Sequence, residues 1–264
     1  MNSPREPSAG AFPVDEALPA LKDALRARNA AGLVAQPGAG KTTRVPLALL
    51  NEPWVKTGKI IVLEPRRIAA RAAAQFMANS IGKKLGETVG LRVRFGSKVS
   101  AKTKVEMITE GVFTRLILDD PELKGIAAVV FDEFHERSLD ADLGLALALD
   151  TQRGLREDLR ILVMSATLDG ARVAASLGDA AVIESEGRAF PVETKYLGRD
   201  ARTPIHQEMA DALARVAGNE SGSILAFLPG AGEIRRTADF LAERIRDDTI
   251  DIVPLYGALD SDVQ

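Results

Sequence analysis

The 264-residue chain carries 34 Lys and Arg against 37 Asp and Glu, giving a formal net charge of −3, and it contains no cysteine. Any nucleic-acid site must therefore be a local basic face rather than a basic domain, and disulfides and thiolate metal sites are excluded. Apolar residues make up 46% of the chain, enough for a large core. No stretch is long and apolar enough to predict a membrane span or an export signal, so we expect a cytoplasmic protein without membrane attachment.

The first two thirds of the chain alternate between apolar runs and helical patterns. Residues 1–13 contain three prolines and predict a loose leader, and Leu18, Leu21 and Leu25 share one face of a short helix. Buried strands are predicted at 31–35, 59–63, 88–95, 105–108, 126–131 and 160–164. Helices are predicted at 41–50, 68–78, 111–118 and 138–149. Such alternation indicates an α/β fold with a mainly parallel sheet flanked by helices.

A polar stretch with Gly and Pro, residues 184–191, interrupts this pattern and predicts a domain linker. Beyond it, helices are predicted at 203–218 and 233–244, and strands at 223–228 and 250–255. We therefore expect a first domain over 14–186 and a second over 187–264. The second domain looks incomplete, because its two predicted strands have few partners.

The segment 35–42, AQPGAGKT, lies between a predicted strand and a predicted helix and is typical of a polyphosphate-binding loop. Backbone N–H groups of the loop converge on phosphate oxygens, the lysine reaches the β- and γ-phosphates, and the threonine coordinates Mg²⁺. The residues predicted to bind ATP here are Gly38, Ala39, Gly40, Lys41, Thr42 and Thr43. Ala35 replaces the first glycine of the pattern, so the turn must form without positive φ there. The alternative is a glycine-rich turn without a ligand.

Two carboxylates, Asp132 and Glu133, directly follow the most apolar predicted strand, where ligands of open α/β sheets bind. Asp132 is predicted to hold Mg²⁺ together with Thr42, and Glu133 to orient and deprotonate the water that attacks the γ-phosphate. With Lys41, they form the predicted catalytic group. His135 joins it only through its place in the DEFH segment, and an acidic strand end without chemistry is the alternative.

In this order, GAGKT at 38–42, LEPRR at 63–67, DEFH at 132–135 and SAT at 165–167 resemble the motifs of superfamily 2 helicases of the DEAH group. The forms LEPRRIAARAAA, DEFHERSLDADL and FLPGAGEIRR resemble its bacterial HrpB-type branch. The resemblance implies a RecA-like P-loop NTPase fold followed by a partial second RecA-like domain. It also implies ATP and Mg²⁺ as cofactors, and single-stranded RNA or DNA as the partner of a protein that we expect to be a monomer.

The resemblance also implies roles for particular residues. Contacts to the nucleic-acid backbone are expected from Arg66, Arg67, Thr109, Glu110 and Gly111. Coupling between the two sites is expected from Ser165, Ala166 and Thr167. In related enzymes an arginine on the helix after PRR stacks on the nucleotide base, and Phe76 stands at that position here. Its ring is either a base contact or an ordinary core residue.

The chain departs from the family pattern in one respect, since it contains no segment of the type QRxGRxGR, which carries the arginine fingers. We therefore expect a fragment that binds nucleotide but hydrolyses ATP slowly and does not unwind a duplex. Two other functions stay open at this point. One is a nucleotide-gated nucleic-acid-binding module, and the other is a P-loop kinase of small molecules.

Overall fold

A computed structural model describes residues 12–56, 58–94, 96–166, 177–178, 180–185, 191–257 and 259. By its internal contacts the chain divides into two compact units, Met1–Phe190 and Pro191–Gln264. Within the described residues, no helix has both the length and the apolar character needed to cross a membrane.

The first unit is built on one eight-stranded sheet. Its strands are β1 (Ala30–Ala35), β2 (Lys59–Leu63), β3 (Val89–Val93), β4 (Gly96–Lys98), β5 (Val105–Ile108), β6 (Ile126–Phe131), β7 (Arg160–Ser165) and β8 (Ala181–Ser185). Their order across the sheet is β4-β3-β5-β2-β6-β7-β1-β8. All pairings are parallel except that of β3 with β4. The carboxyl ends of the parallel strands therefore share one edge, the usual ligand edge of such sheets.

Helices cover both faces of this sheet. They are α1 (Leu18–Ala27), α2 (Lys41–Leu49), α3 (Arg67–Ser80), α4 (Glu110–Asp119) and α5 (Leu139–Gly154). Buried side chains of α1, α2 and α3 belong to one apolar cluster, and those of α4 and α5 belong to another. Strand β2 contributes Ile60 and Val62 to the first cluster but Ile61 to the second, because successive side chains point to opposite faces. A strand buried on both faces is continuously apolar, as this one is.

The second unit contains the helices α6 (Ile205–Asn219) and α7 (Ala231–Arg244) among its described residues. Both helices were predicted, but the strands predicted at 223–228 and 250–255 are wrong, since neither segment forms a strand. Phe227 and Val253 are 81% and 73% exposed. An apolar run becomes a strand only where a neighbouring strand satisfies its backbone groups, and the described part of this unit offers none.

The predicted α/β fold with a mainly parallel sheet is confirmed, and the six strands predicted for the first unit correspond to β1, β2, β3, β5, β6 and β7. Strands β4 and β8 were not predicted. Strand β4 is short and fully exposed, so its residues lack the apolar pattern that marks a buried strand. Strand β8 lies at the sheet edge and is only partly buried.

Candidate nucleotide and nucleic-acid site

The glycine-rich loop leaves the carboxyl end of β1 and turns into α2. Positive φ falls on Gly38 (+81°) and Gly40 (+87°), while Ala35 is simply the last residue of the strand. The loop therefore turns without positive φ at Ala35, as the sequence requires. The Gly40 carbonyl accepts hydrogen bonds from the N–H groups of Thr43 (3.2 Å) and Arg44 (2.9 Å) as the helix begins. A Cβ added at Gly38 would meet no atom within 4 Å, so this side of the loop is open.

The back of the loop is braced by the segment just before α1. A Cβ added at Gly40 would lie 2.7 Å from Cδ1 of Phe12, so the phenylalanine ring occupies the space that any larger residue would need. The Val14 N–H donates to the Ala39 carbonyl (3.1 Å), and Asp15 pairs with Arg44 (Nε–Oδ1, 2.9 Å). Sequence reasoning missed this brace because it placed Phe12 in a loose leader. The available signal was the apolar run Phe-Pro-Val.

The predicted catalytic carboxylate meets the loop lysine directly. Nζ of Lys41 lies 2.7 Å from Oε1 of Glu133, and the Lys41 side chain is only 4% exposed. Glu133 adopts φ of +48°, a left-handed conformation that costs energy in a residue with a side chain and that accumulates at functional sites. The structure thus brings together two groups that are 92 positions apart in sequence.

Asp132 lies beside this pair and is 2% exposed. Burial raises its pKa to about 6, against the opposing effects of the Thr42 side chain and the Lys41 charge. Oδ1 accepts from the Glu133 N–H (2.8 Å), whereas Oδ2 is buried and has no hydrogen-bond partner among the described residues. A buried carboxylate oxygen without a partner beside a threonine fits a cation. Among the described residues, no group of three or more His, Cys, Asp or Glu side chains is placed to hold a metal ion.

A further buried acid, Glu64, follows β2, the neighbour of β6 in the sheet. Burial, and then the negative charge of Asp132, raises the pKa of Glu64 to about 8. Its Oε1 accepts from the Arg66 N–H at 3.3 Å. Sequence analysis assigned Glu64 no role, although an acid directly after an apolar strand was the same signal that singled out Asp132.

The predicted coupling segment lies at the carboxyl end of β7, between β6 and β1 in the sheet. The Ala166 N–H donates to Nδ1 of His135 at 3.2 Å, and Nε2 of that histidine lies 3.4 Å from Oε2 of Glu133. Ser165 is buried. Thr167 lies outside the described residues. His135 therefore connects the end of β7 to the carboxylate that pairs with Lys41.

The residues predicted to contact nucleic acid follow β2 and β5, which are neighbours in the sheet. Arg66 and Arg67 are exposed at the start of α3, and Arg66 pairs with Glu136 (Nη2–Oε1, 2.7 Å). Thr109 and Gly111 lie at the start of α4. Glu110 accepts a hydrogen bond from the Ser138 hydroxyl, which caps α5, so its carboxylate joins two helix starts.

Phe76 lies on α3 and is 50% exposed. The residues of α3 that pack into the core are instead Ala70, Ala74, Met77 and Ala78. The alternative interpretation of Phe76 as a core residue is therefore wrong.

The comparisons with known proteins agree with this arrangement. Residues 15–175 match the family model for DEAD/DEAH box helicases, so the chain belongs to this family. It is 52% identical over 248 residues to the ATP-dependent RNA helicase HrpB of Escherichia coli (strain K12). That match covers 94% of this chain but 30% of HrpB.

Two crystal structures of HrpB resemble the chain closely. One, described as the E. coli DEAH/RHA helicase HrpB, has a TM-score of 0.90 and 51% identity, over 96% of this chain and 32% of that one. The other, described as the E. coli DExH-box NTPase HrpB, has a TM-score of 0.81 and 49% identity, over 98% and 32%. The predicted resemblance to the HrpB-type branch is confirmed, and this chain spans about a third of the relatives it matches.

Proposed function

We propose that the chain binds Mg-ATP at the glycine-rich loop and couples its hydrolysis to the binding of single-stranded RNA or DNA, as part of an ATP-dependent helicase. One observation carries the proposal. Lys41, Asp132 and Glu133 meet at one sheet edge, and Asp132 presents a buried oxygen that has no hydrogen-bond partner in the part of the chain that the structure describes. RNA is favoured over DNA because the relative HrpB is described as an RNA helicase. Duplex unwinding belongs to the proposal for the whole protein.

The nucleotide end of the site supplies cations and N–H groups to the phosphates. Residues 38–43 run from the glycine-rich loop into the first turn of α2, where the backbone N–H groups and the helix dipole favour a phosphate. Lys41 exchanges its ion pair with Glu133 for the phosphate oxygens. This exchange frees the Glu133 carboxylate at the moment when the γ-phosphate is in place. Without a nucleotide, the Glu133 carboxylate stays paired with Lys41 and does not accept a proton from water.

Thr42 and Asp132 would hold Mg²⁺, whose charge would help to neutralise the negative charge that develops on the phosphate. Glu133 then orients water and accepts its proton. The contact from Nδ1 of His135 to the Ala166 N–H fixes the ring, so that Nε2 faces Glu133. A shift of Glu133 is therefore transmitted to the end of β7.

The nucleic-acid end of the site uses Arg66, Arg67 and the start of α4. Guanidinium groups bind phosphates in a bidentate manner, and N–H groups at a helix start bind them through the backbone. These contacts recognise the backbone of a strand and not its bases. Binding should therefore be sensitive to salt and largely independent of sequence.

The test separates nucleotide binding from chemistry. Replacing Lys41→Ala removes a charged phosphate contact and should weaken Mg-ATP binding about ten- to a hundredfold, measured by calorimetry on the 264-residue chain. Glu133→Gln should leave that affinity unchanged or raise it, because it releases Lys41, while abolishing hydrolysis wherever turnover is measurable.

Lys124→Ala is the matched control, since Lys124 is an exposed lysine just before β6, at the opposite edge of the sheet. Thermal unfolding of each variant checks that it is folded. Equal loss of Mg-ATP affinity in the Lys41 and Glu133 variants would contradict these roles.

A second candidate is a nucleotide-gated binding module that switches its affinity for a strand without turnover. The ion pair between Lys41 and Glu133 favours it, because nucleotide binding alone would break that pair. Under this alternative, Mg-ATP changes strand affinity less in Glu133→Gln than in the unmodified chain, because the ion pair that the nucleotide breaks is already absent, and hydrolysis is absent from both.

A further inference from the structure

Glu136 is an acidic residue of the DEFHE segment for which sequence analysis gave no function. It ends the short 3₁₀ turn Phe134–Glu136, and its N–H donates to the Glu133 carbonyl at 2.9 Å. Its carboxylate reaches across to the next strand end, where Oε1 lies 2.7 Å from Nη2 of Arg66. One short turn therefore connects the proposed base to a proposed strand-binding arginine.

The 3₁₀ turn Phe134–Glu136 is anchored to the core by its first residue. Phe134 is buried, with its ring edge-on to Phe131 at 6.3 Å between centroids. The residues before and after the turn, Glu133 and Arg137, both have positive φ (+48° and +47°). A turn with strained residues on both sides and a buried anchor has few alternative positions. A displacement of Glu136 should therefore displace Glu133 as well, because the turn between them moves as one unit.

The Arg66 side chain is open to exchange of partners. It is 70% exposed, and an exposed ion pair contributes little, so an incoming phosphate can replace the carboxylate. A phosphate offers the guanidinium a bidentate contact, which is stronger than the single contact to Glu136.

We propose that Glu136 is a positioning residue that holds Arg66 in the absence of nucleic acid and gives it up to a strand phosphate, so that strand binding releases the turn behind Glu133. The inference rests on the proposed function, because it requires Arg66 to bind a strand. Glu136 then competes with the strand phosphate for Arg66, and its turn physically links the two ends of the site.

The first test is a double-mutant cycle read by titration of a single-stranded RNA oligonucleotide. Glu136→Gln frees Arg66 and should tighten binding by about two- to fivefold, the worth of an exposed ion pair. In the Arg66→Ala background the same change should have no more effect than Glu122→Gln. Glu122 is a matched control because it is an exposed acid, paired with Lys124, at the opposite edge of the sheet. A gain of affinity is not an outcome that damage to the fold produces.

Salt dependence gives a second readout of the same cycle. With Glu136 present, the cation that a strand phosphate releases on meeting Arg66 is offset by the cation that the freed Glu136 carboxylate takes up, whereas Glu136→Gln has no such uptake. The slope of log affinity against log salt should therefore steepen by up to about 0.7. Equal tightening in both backgrounds, or an unchanged slope, would overturn the proposal. If Arg66→Ala itself had no effect on binding, the strand site of the proposed function would fail as well.

The link to the nucleotide end has its own measurement. By reciprocity, a strand that shifts Glu133 must change the affinity for Mg-ADP, and the ratio of affinities with and without saturating oligonucleotide measures this coupling. Glu136→Gln should bring the ratio closer to one than Glu122→Gln does. The same ratio in both variants would show that the turn transmits nothing.

Discussion

The two ends of the candidate site follow the same sheet edge but differ in their exposure to water. At the end formed by β1 and β6, Lys41 and Asp132 are 4% and 2% exposed, whereas Arg66, after β2, is 70% exposed. Charges removed from water interact strongly and keep a fixed geometry, which suits a chemical step. Charges in water exchange partners readily, which suits a protein that must grip and release a strand. Burial therefore separates the two proposed functions more clearly than residue type does.

The difference in burial predicts that folding stability depends strongly on pH through Glu64, which is buried. Its folded-state pKa of about 8 lies above the ordinary value of 4.5, so the folded protein holds a proton that the unfolded chain releases. As pH rises from about 4.5 to about 8, the unmodified chain should lose stability that Glu64→Gln retains. The difference should be on the order of 1–4 kcal/mol and should level off above pH 8.

Denaturant unfolding at pH 5, 7 and 9 measures this difference. Glu122→Gln is the control, because its exposed carboxylate should give no such trend. A stability difference between Glu64→Gln and the unmodified chain that is independent of pH would mean that Glu64 is ionised in the folded protein at all three values.

The brace behind the glycine-rich loop should give the next largest effect. Gly40→Ala forces a side chain into a left-handed position and against Phe12, at a cost of about 1–3 kcal/mol in folding stability. Adding Phe12→Ala removes the two closest atoms, Cδ1 and Cγ, but leaves the Cβ of residue 12 at 3.0 Å and the unfavourable φ of +87°. The double variant should therefore recover part of the stability and of the Mg-ATP affinity that Gly40→Ala loses. If Phe12→Ala only adds to the loss, the ring does not limit the space at Gly40.

The sequence predicted the parts of the site that are determined by local spacing. The loop at 38–42 and the acids at 132 and 133 each follow an apolar run closely, so the pattern predicts both the element and the carboxyl end of the strand at which these residues lie. The contacts of Phe12 with Gly40 and of Arg66 with Glu136 join distant segments through side-chain placement, which periodicity does not encode. The apolar run 223–228 was predicted as a strand but does not form one. Strand formation depends on a neighbouring strand, which the described part of its unit does not supply.

The smallest effect is expected at the exposed arginines. Its dependence on salt and on oligonucleotide sequence identifies the kind of contact that is lost. If Arg66 and Arg67 bind strand phosphates, replacing both with Ala should weaken binding to a single strand about tenfold. The slope of log affinity against log salt should become shallower by about 0.7 for each lost contact. The loss should be the same for oligonucleotides of different sequence, because phosphates carry no base information.

Arg153→Ala is the control, since Arg153 is an exposed arginine in the last turn of α5, just before β7 and away from the ligand edge. Arg153→Ala removes one positive charge without touching the site, so it measures the general electrostatic loss per arginine, and twice this loss is the reference for the variant that lacks both Arg66 and Arg67. A salt slope that stays the same after loss of both Arg66 and Arg67 would assign these arginines to the solvated start of α3. A loss that depended on sequence would mean that this end of the site reads bases, which backbone contacts at exposed strand ends do not explain.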